Sequence, residues 1–156
     1  MIFVAYALVV ESGSESRVLV VEEVILADCN PEQAVALTLQ RGSFESSFPE
    51  IVSFVDNNFR TLPDKAHRAI AGLSMGGMHT LMISANYPEM FNYIGLYSAG
   101  VDFTHIKMEE IKAYANLDAK LAKLAQSNPK LYWIACGDAD RLMPFNRAVQ
   151  TDLLCS

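Results

Sequence analysis

Residues 67–84 read HRAIAGLSMGGMHTLMIS, and within them Gly72-Leu73-Ser74-Met75-Gly76 forms a G-x-S-x-G run between an apolar stretch and a helical pattern. A serine hydroxyl is a weak nucleophile until a base takes its proton. Held at a sharp strand-to-helix turn, its oxygen projects above the sheet, and the next backbone N–H stands at the positive end of a helix. Such an N–H can bind the oxyanion formed when an acyl group is attacked. Ser74 is then a candidate nucleophile and Met75 a candidate oxyanion donor. Gly72 and Gly76, lacking Cβ atoms, would let strand and helix approach closely. The same residues also read as an ordinary glycine-rich turn in which Ser74 only caps the helix.

The elements that must hold this turn are legible as a pattern. Residues 2–10 and 18–26 are rich in Val and Ile and read as strands, with ESGSES as the turn between them, although the second could equally begin a helix. NPEQAVALTLQ, residues 30–40, reads as a helix capped by Asn30 with Pro31 in its first turn. Phe48, Ile51, Val52, Val55 and Phe59 recur at spacings of three and four, one face of a helix over about 45–60. A strand at 68–73, a helix at 75–86, a strand at 93–98, a helix at 108–127, a strand at 131–136 and a helix from Pro144 follow. Apolar strands alternating with helices imply an α/β fold, a mostly parallel sheet with helices on both faces. Sites in such sheets lie beyond the carboxyl ends of the strands.

The whole chain narrows the chemistry further. Its 156 residues fit a single domain spanning 1–156, and its half-hydrophobic composition excludes disorder. A net charge of −6 with scattered acids and bases gives no basic face for nucleic acid or an anionic membrane. The apolar opening MIFVAYALVV is too short to span a bilayer and lacks the positive start of a secretory signal, so the cytoplasm is the default expectation. Cys29, Cys136 and Cys155 form neither a metal pattern nor a disulfide framework. Nothing in the pattern asks for a metal or an organic cofactor.

The stretch NFRTLPDKAHRAIAGLSMGGMHTLMISANYPEMFNYIGLYSAG resembles the esterase D-like branch of the α/β-hydrolases. That branch includes feruloyl esterases, acetylxylan esterases and S-formylglutathione hydrolases. LYWIACGDADRLMPFNRAV resembles the segment in which those enzymes carry the triad acid, a strand followed by G-x-x-D-x-L and an Asn. The resemblance runs from Phe44 to Val149, roughly two-thirds of the chain. It implies that Ser74 is the nucleophile, Met75 the oxyanion donor and Asp140, rather than Asp138, the triad acid. Two parts of the family pattern are missing: an HGGG-like loop for a second oxyanion donor, and a histidine after the acid. The chain therefore reads as a reduced α/β-hydrolase core, shortened at both ends.

Three histidines remain as bases, and topology separates them. His67 precedes the nucleophile strand, which puts it at the opposite edge, about 15–20 Å away at ~3.3 Å per residue. His79 lies on the helix after Ser74, about 7 Å down its axis and well round from the serine, and suits packing or a helix-face hydrogen bond. His105 follows the next strand and emerges at the carboxyl edge, with Asp102 nearby as an orienting carboxylate. It is also open to the plainer reading of a solvent-facing loop histidine.

The expected function is a carboxylic ester hydrolase working through a Ser74 acyl-enzyme, on a small-molecule or carbohydrate-linked ester, with feruloyl or acetyl esters implied by the resemblance. Missing a base and one oxyanion donor, the chain taken alone is expected to turn over slowly. The rival is a non-enzymatic, truncated or decayed hydrolase fold that self-associates, as a homo-oligomer, through the surface its shortening leaves bare.

Overall fold

The computed structural model describes residues 2–12, 15–25, 42–104 and 107–155. The helix expected at 30–40 lies outside these residues, and so does His105. Five strands form one sheet: β1 (Ile2–Ser12), β2 (Glu15–Ile25), β3 (Arg68–Leu73), β4 (Tyr93–Tyr97) and β5 (Leu131–Ala135), in the order β2-β1-β3-β4-β5. The two Val/Ile-rich runs at the start pair as an antiparallel hairpin, and β1 then runs antiparallel to β3. β3, β4 and β5 are parallel, as helix-linked apolar strands require.

Four helices complete the described chain: α1 (Ser43–Asn58), α2 (Met75–Asn86), α3 (Leu117–Gln126) and α4 (Met143–Cys155). Ile70 of β3 and Ile94 and Leu96 of β4 join Phe48 and Val52 of α1, Leu81, Met82 and Ile83 of α2, Leu121 and Leu124 of α3 and Val149 of α4 in one buried cluster. α2 is buried along almost its whole length, which its mix of small and large residues allows: Gly76, Gly77, Thr80, Ser84 and Ala85 are buried beside Met78, Leu81, Met82 and Ile83.

The α/β class is as expected, with the parallel strands β3, β4 and β5 linked by helices. Among the described residues the four helices contribute to the single cluster on the face of Ile70 and Ile94. Residues of the opposite parity, Leu73, Tyr93, Tyr97, Leu131 and Trp133, are exposed by 37–53%. The reason is topological. β3, β4 and β5 advance in one direction across the sheet, so their right-handed crossovers carry α2 and α3 over the same face.

One difference concerns the helix expected over 108–127. It is a 3-10 turn at Met108–Glu110 followed by α3, with Asn116 in the left-handed region at φ 56°. Between them Ala113 and Tyr114 turn inward and are buried, Tyr114 to donate its hydroxyl hydrogen bond to Glu45 of α1. A continuous helix could not present that face to α1 and the α3 face to the core at once. Among the described residues no helix is long and apolar enough to cross a membrane.

Candidate active site

Ser74 sits between the last residue of β3 and the first of α2, with φ 57° and ψ −116°. A side chain with a Cβ rarely adopts positive φ, so the turn stores strain that its surroundings must hold in place. β4 and the loop after it do so from both sides. The Ser74 N–H donates to the Tyr97 carbonyl at 2.9 Å, and the Gly100 N–H donates to the Ser74 carbonyl at 2.7 Å. Ser74 is itself exposed, so the strained residue faces outward.

The glycines explain why strand and helix can meet so tightly. A Cβ on Gly72 would lie 2.1 Å from the Gly76 carbonyl oxygen, inside the backbone of α2. A Cβ on Gly77 would lie 2.7 Å from the Cβ of Ala99, in the loop leaving β4. Gly77 thus joins Gly72 as a close-approach position, one that the G-x-S-x-G spacing does not include. Met75 is the first residue of α2, and first-turn amides have no acceptor within their own helix. Its N–H is therefore of the kind that receives an anion at a helix N-terminus.

Asp140 lies in the loop between β5 and α4. Its Oδ1 accepts the Leu142 N–H at 2.9 Å, and the Asp140 N–H donates to the Gly137 carbonyl. The Leu142 amide, then the Ser98 hydroxyl, hold this carboxyl below its ordinary value, with the Cys136 thiol and the Arg141 charge adding to them against a small burial cost. Asp138 in the same loop is exposed. Ser98 is the link to the serine. It follows Tyr97, whose carbonyl holds Ser74, its N–H donates to Ala135 of β5 at 2.7 Å, and it too has positive φ, 41°. Ser74 and Asp140 are thus brought to the same carboxyl edge, on either side of Tyr97-Ser98.

Two histidines are placed away from that edge. His67 Nδ1 is 2.7 Å from Asp64 Oδ1, before β3 begins, and the hydrogen bond from His67 holds the Asp64 carboxyl down. His79 Nδ1 is 2.8 Å from Glu45 Oε1, and its ring packs edge-on to Phe44 at 5.1 Å. This is the packing and helix-face hydrogen bond anticipated for it. Of the loop around His105, Asp102 is described: its Oδ1 accepts from the N–H and hydroxyl of Thr104.

Sequence reading left two residues of this edge without a role. Ser98 ends the apolar strand pattern with nothing to mark it, and Asn146 stands out only as the Asn that follows the acid. Asn146 is 2% exposed and carries three side-chain hydrogen bonds, two of them to Ala99.

Residues 40–154 match the model of the family described as "Putative esterase". Over 101 residues, 65% of this chain, the sequence is 41% identical to an "Endo-1,4-beta-xylanase/feruloyl esterase" of Xylanibacter ruminicola. The chain spans 12% of that relative's length. The strained serine turn, the helix behind it and the acid-bearing loop all fall inside one continuous family match, and the chain belongs to that esterase family.

Proposed function

We propose that the protein is a serine carboxylic ester hydrolase acting through an acyl-enzyme on Ser74. The observation that carries this reading is the Ser74 backbone: positive φ at a strand-to-helix junction, held by hydrogen bonds to both its N–H and its carbonyl. Strain of this kind persists where the surroundings over-determine it, and it is used to present a side chain. In the reaction the Ser74 oxygen attacks the ester carbonyl while a base takes its proton. The Met75 N–H faces the developing oxyanion. The base then protonates the departing alcohol, and water, activated by the same base, releases the carboxylic acid and restores Ser74. Asp140, kept ionised by its hydrogen bonds, orients the base and stabilises its charged form.

Feruloyl or acetyl esters are the proposed substrate class, the feruloyl reading being supported by the similarity to the Xylanibacter ruminicola xylanase/feruloyl esterase. For a chain acting alone, His105 is the base to test. Steady-state hydrolysis of p-nitrophenyl acetate and methyl ferulate should vanish in Ser74→Ala and in His105→Ala, with both variants folded. Turnover that survives Ser74→Ala overturns the reading. Turnover that survives only His105→Ala assigns the base to another residue.

A second reading is a binding or assembly role without turnover. It is favoured by the engagement of His67 and His79 with Asp64 and Glu45, and by the bare sheet face of Tyr93, Tyr97, Leu131 and Trp133. Self-association in sedimentation together with no Ser74-dependent turnover would select it.

A further inference from the structure

We propose that Asn146 is a positioning residue that locks the Ser74 turn and the Asp140 loop into one unit, an inference that rests on the serine-hydrolase reading of that edge. The argument begins with burial. An amide side chain 2% exposed loses its water partners and must find others within the protein. Asn146 finds them in two places. Its Oδ1 accepts the Ala99 N–H at 3.2 Å and its Nδ2 donates to the Ala99 carbonyl at 3.0 Å, so the side chain pairs with one residue as a neighbouring strand would. The same Nδ2 donates to the Leu142 carbonyl at 2.9 Å.

Leu142 contacts one candidate reacting group directly, and Ala99 reaches the other through its neighbour. Ala99 precedes Gly100, whose N–H holds the Ser74 carbonyl at 2.7 Å, and Ala99 itself presses on Gly77 in the first turn of α2. Leu142 donates its N–H to Asp140 Oδ1 at 2.9 Å. Asn146 is therefore bonded to the residue that supports the acid and to the neighbour of the residue that supports the nucleophile. Ser98 and Ser74 on this path both carry positive φ, so the loop relaxes to a different backbone once its clamp is removed. A shift of about 1 Å in a reacting group costs on the order of 100-fold in rate.

The test compares wild type with Asn146→Leu, which keeps the volume and removes all three side-chain hydrogen bonds. Two readouts are needed: amide hydrogen exchange at Ala99 and Gly100, and kcat and KM for p-nitrophenyl acetate with the rate of fluorophosphonate labelling at Ser74. Protection at both amides should fall on the order of 10-fold, since each loses a hydrogen bond or its neighbour's support. The kcat and the labelling rate should fall about 10- to 100-fold with KM little changed. Asn146→Ser, which retains a hydroxyl, should recover part of both, and it replaces the Leu variant if that one does not fold. Unchanged protection overturns the coupling, and so does lost protection with wild-type kcat and labelling. A wild type that takes no label sinks the serine reading instead, and the exchange result then decides the coupling by itself.

Discussion

Glu45 and Asp140 are both carboxylates held below their ordinary pKa, yet they occupy opposite kinds of place. Glu45 is 1% exposed between α1 and α2, where burial pushes its carboxyl up and the hydrogen bond and charge of His79, with the Tyr114 hydroxyl, more than reverse the effect. Asp140 stands at the open carboxyl edge, lowered by the Leu142 amide and the Ser98 hydroxyl. The first carboxylate has a histidine and joins three segments of the core. The second is aligned by backbone and hydroxyl donors and carries no described imidazole. Pairing a carboxylate with a histidine is thus insufficient to mark a catalytic centre. What separates the two is access to a strained nucleophile, and only Asp140 shares an edge with Ser74.

That contrast breaks most sharply on activity. Asp140→Asn should lower Ser74-dependent turnover by about 10⁴-fold, the scale for losing the residue that orients a general base, with Tm unchanged. A variant that turns over as fast as wild type would remove Asp140 from the mechanism. Glu45→Ala should show the reverse pattern. Breaking a buried pair by removing one partner costs about 3–5 kcal/mol, so urea unfolding should shift far to lower denaturant while kcat of the folded fraction holds.

The acid side of the stability curve sharpens the same comparison. The folded pKa of Glu45 lies below its ordinary 4.5, so its contribution is fully present above that pH and is lost as pH falls through the folded value. The stability gap between wild type and Glu45→Gln should therefore close as pH falls below 4.5. A gap that widens on acidification would contradict the assignment. Asp140, also lowered, stays ionised down to below its ordinary 3.8, so an acid limb of kcat/KM near neutrality belongs to the base. The smallest effect is expected at Asp138, an exposed carboxylate in the same loop. Asp138→Asn should change stability by less than about 0.5 kcal/mol and turnover by no more than about twofold.

How much of this the sequence discloses follows the range of the interactions. The β3–Ser74–α2 unit is local: an apolar run, glycines and a helical period within twenty-odd residues define it, and the structure has β3 at Arg68–Leu73 and α2 at Met75–Asn86 as read. The break in the helix expected over 108–127 is not local, because it is imposed by Tyr114 reaching Glu45, a partner far away in sequence. Asn146 is illegible for the same reason, its amide being matched to Ala99 in the loop after another strand. That α2 and α3 cover one face of the sheet follows from the order β3-β4-β5, which single-strand patterns do not contain. Short-range patterning therefore located the candidate nucleophile, while the groups that brace it required the fold.

The central claim, a reactive Ser74, is tested most directly by fluorophosphonate labelling of the folded protein read by intact mass and peptide mapping, with Ser74→Ala as control. One adduct, confined to Ser74 and absent from the control, is the predicted result. An unlabelled wild type, or an adduct that persists in Ser74→Ala, would contradict it.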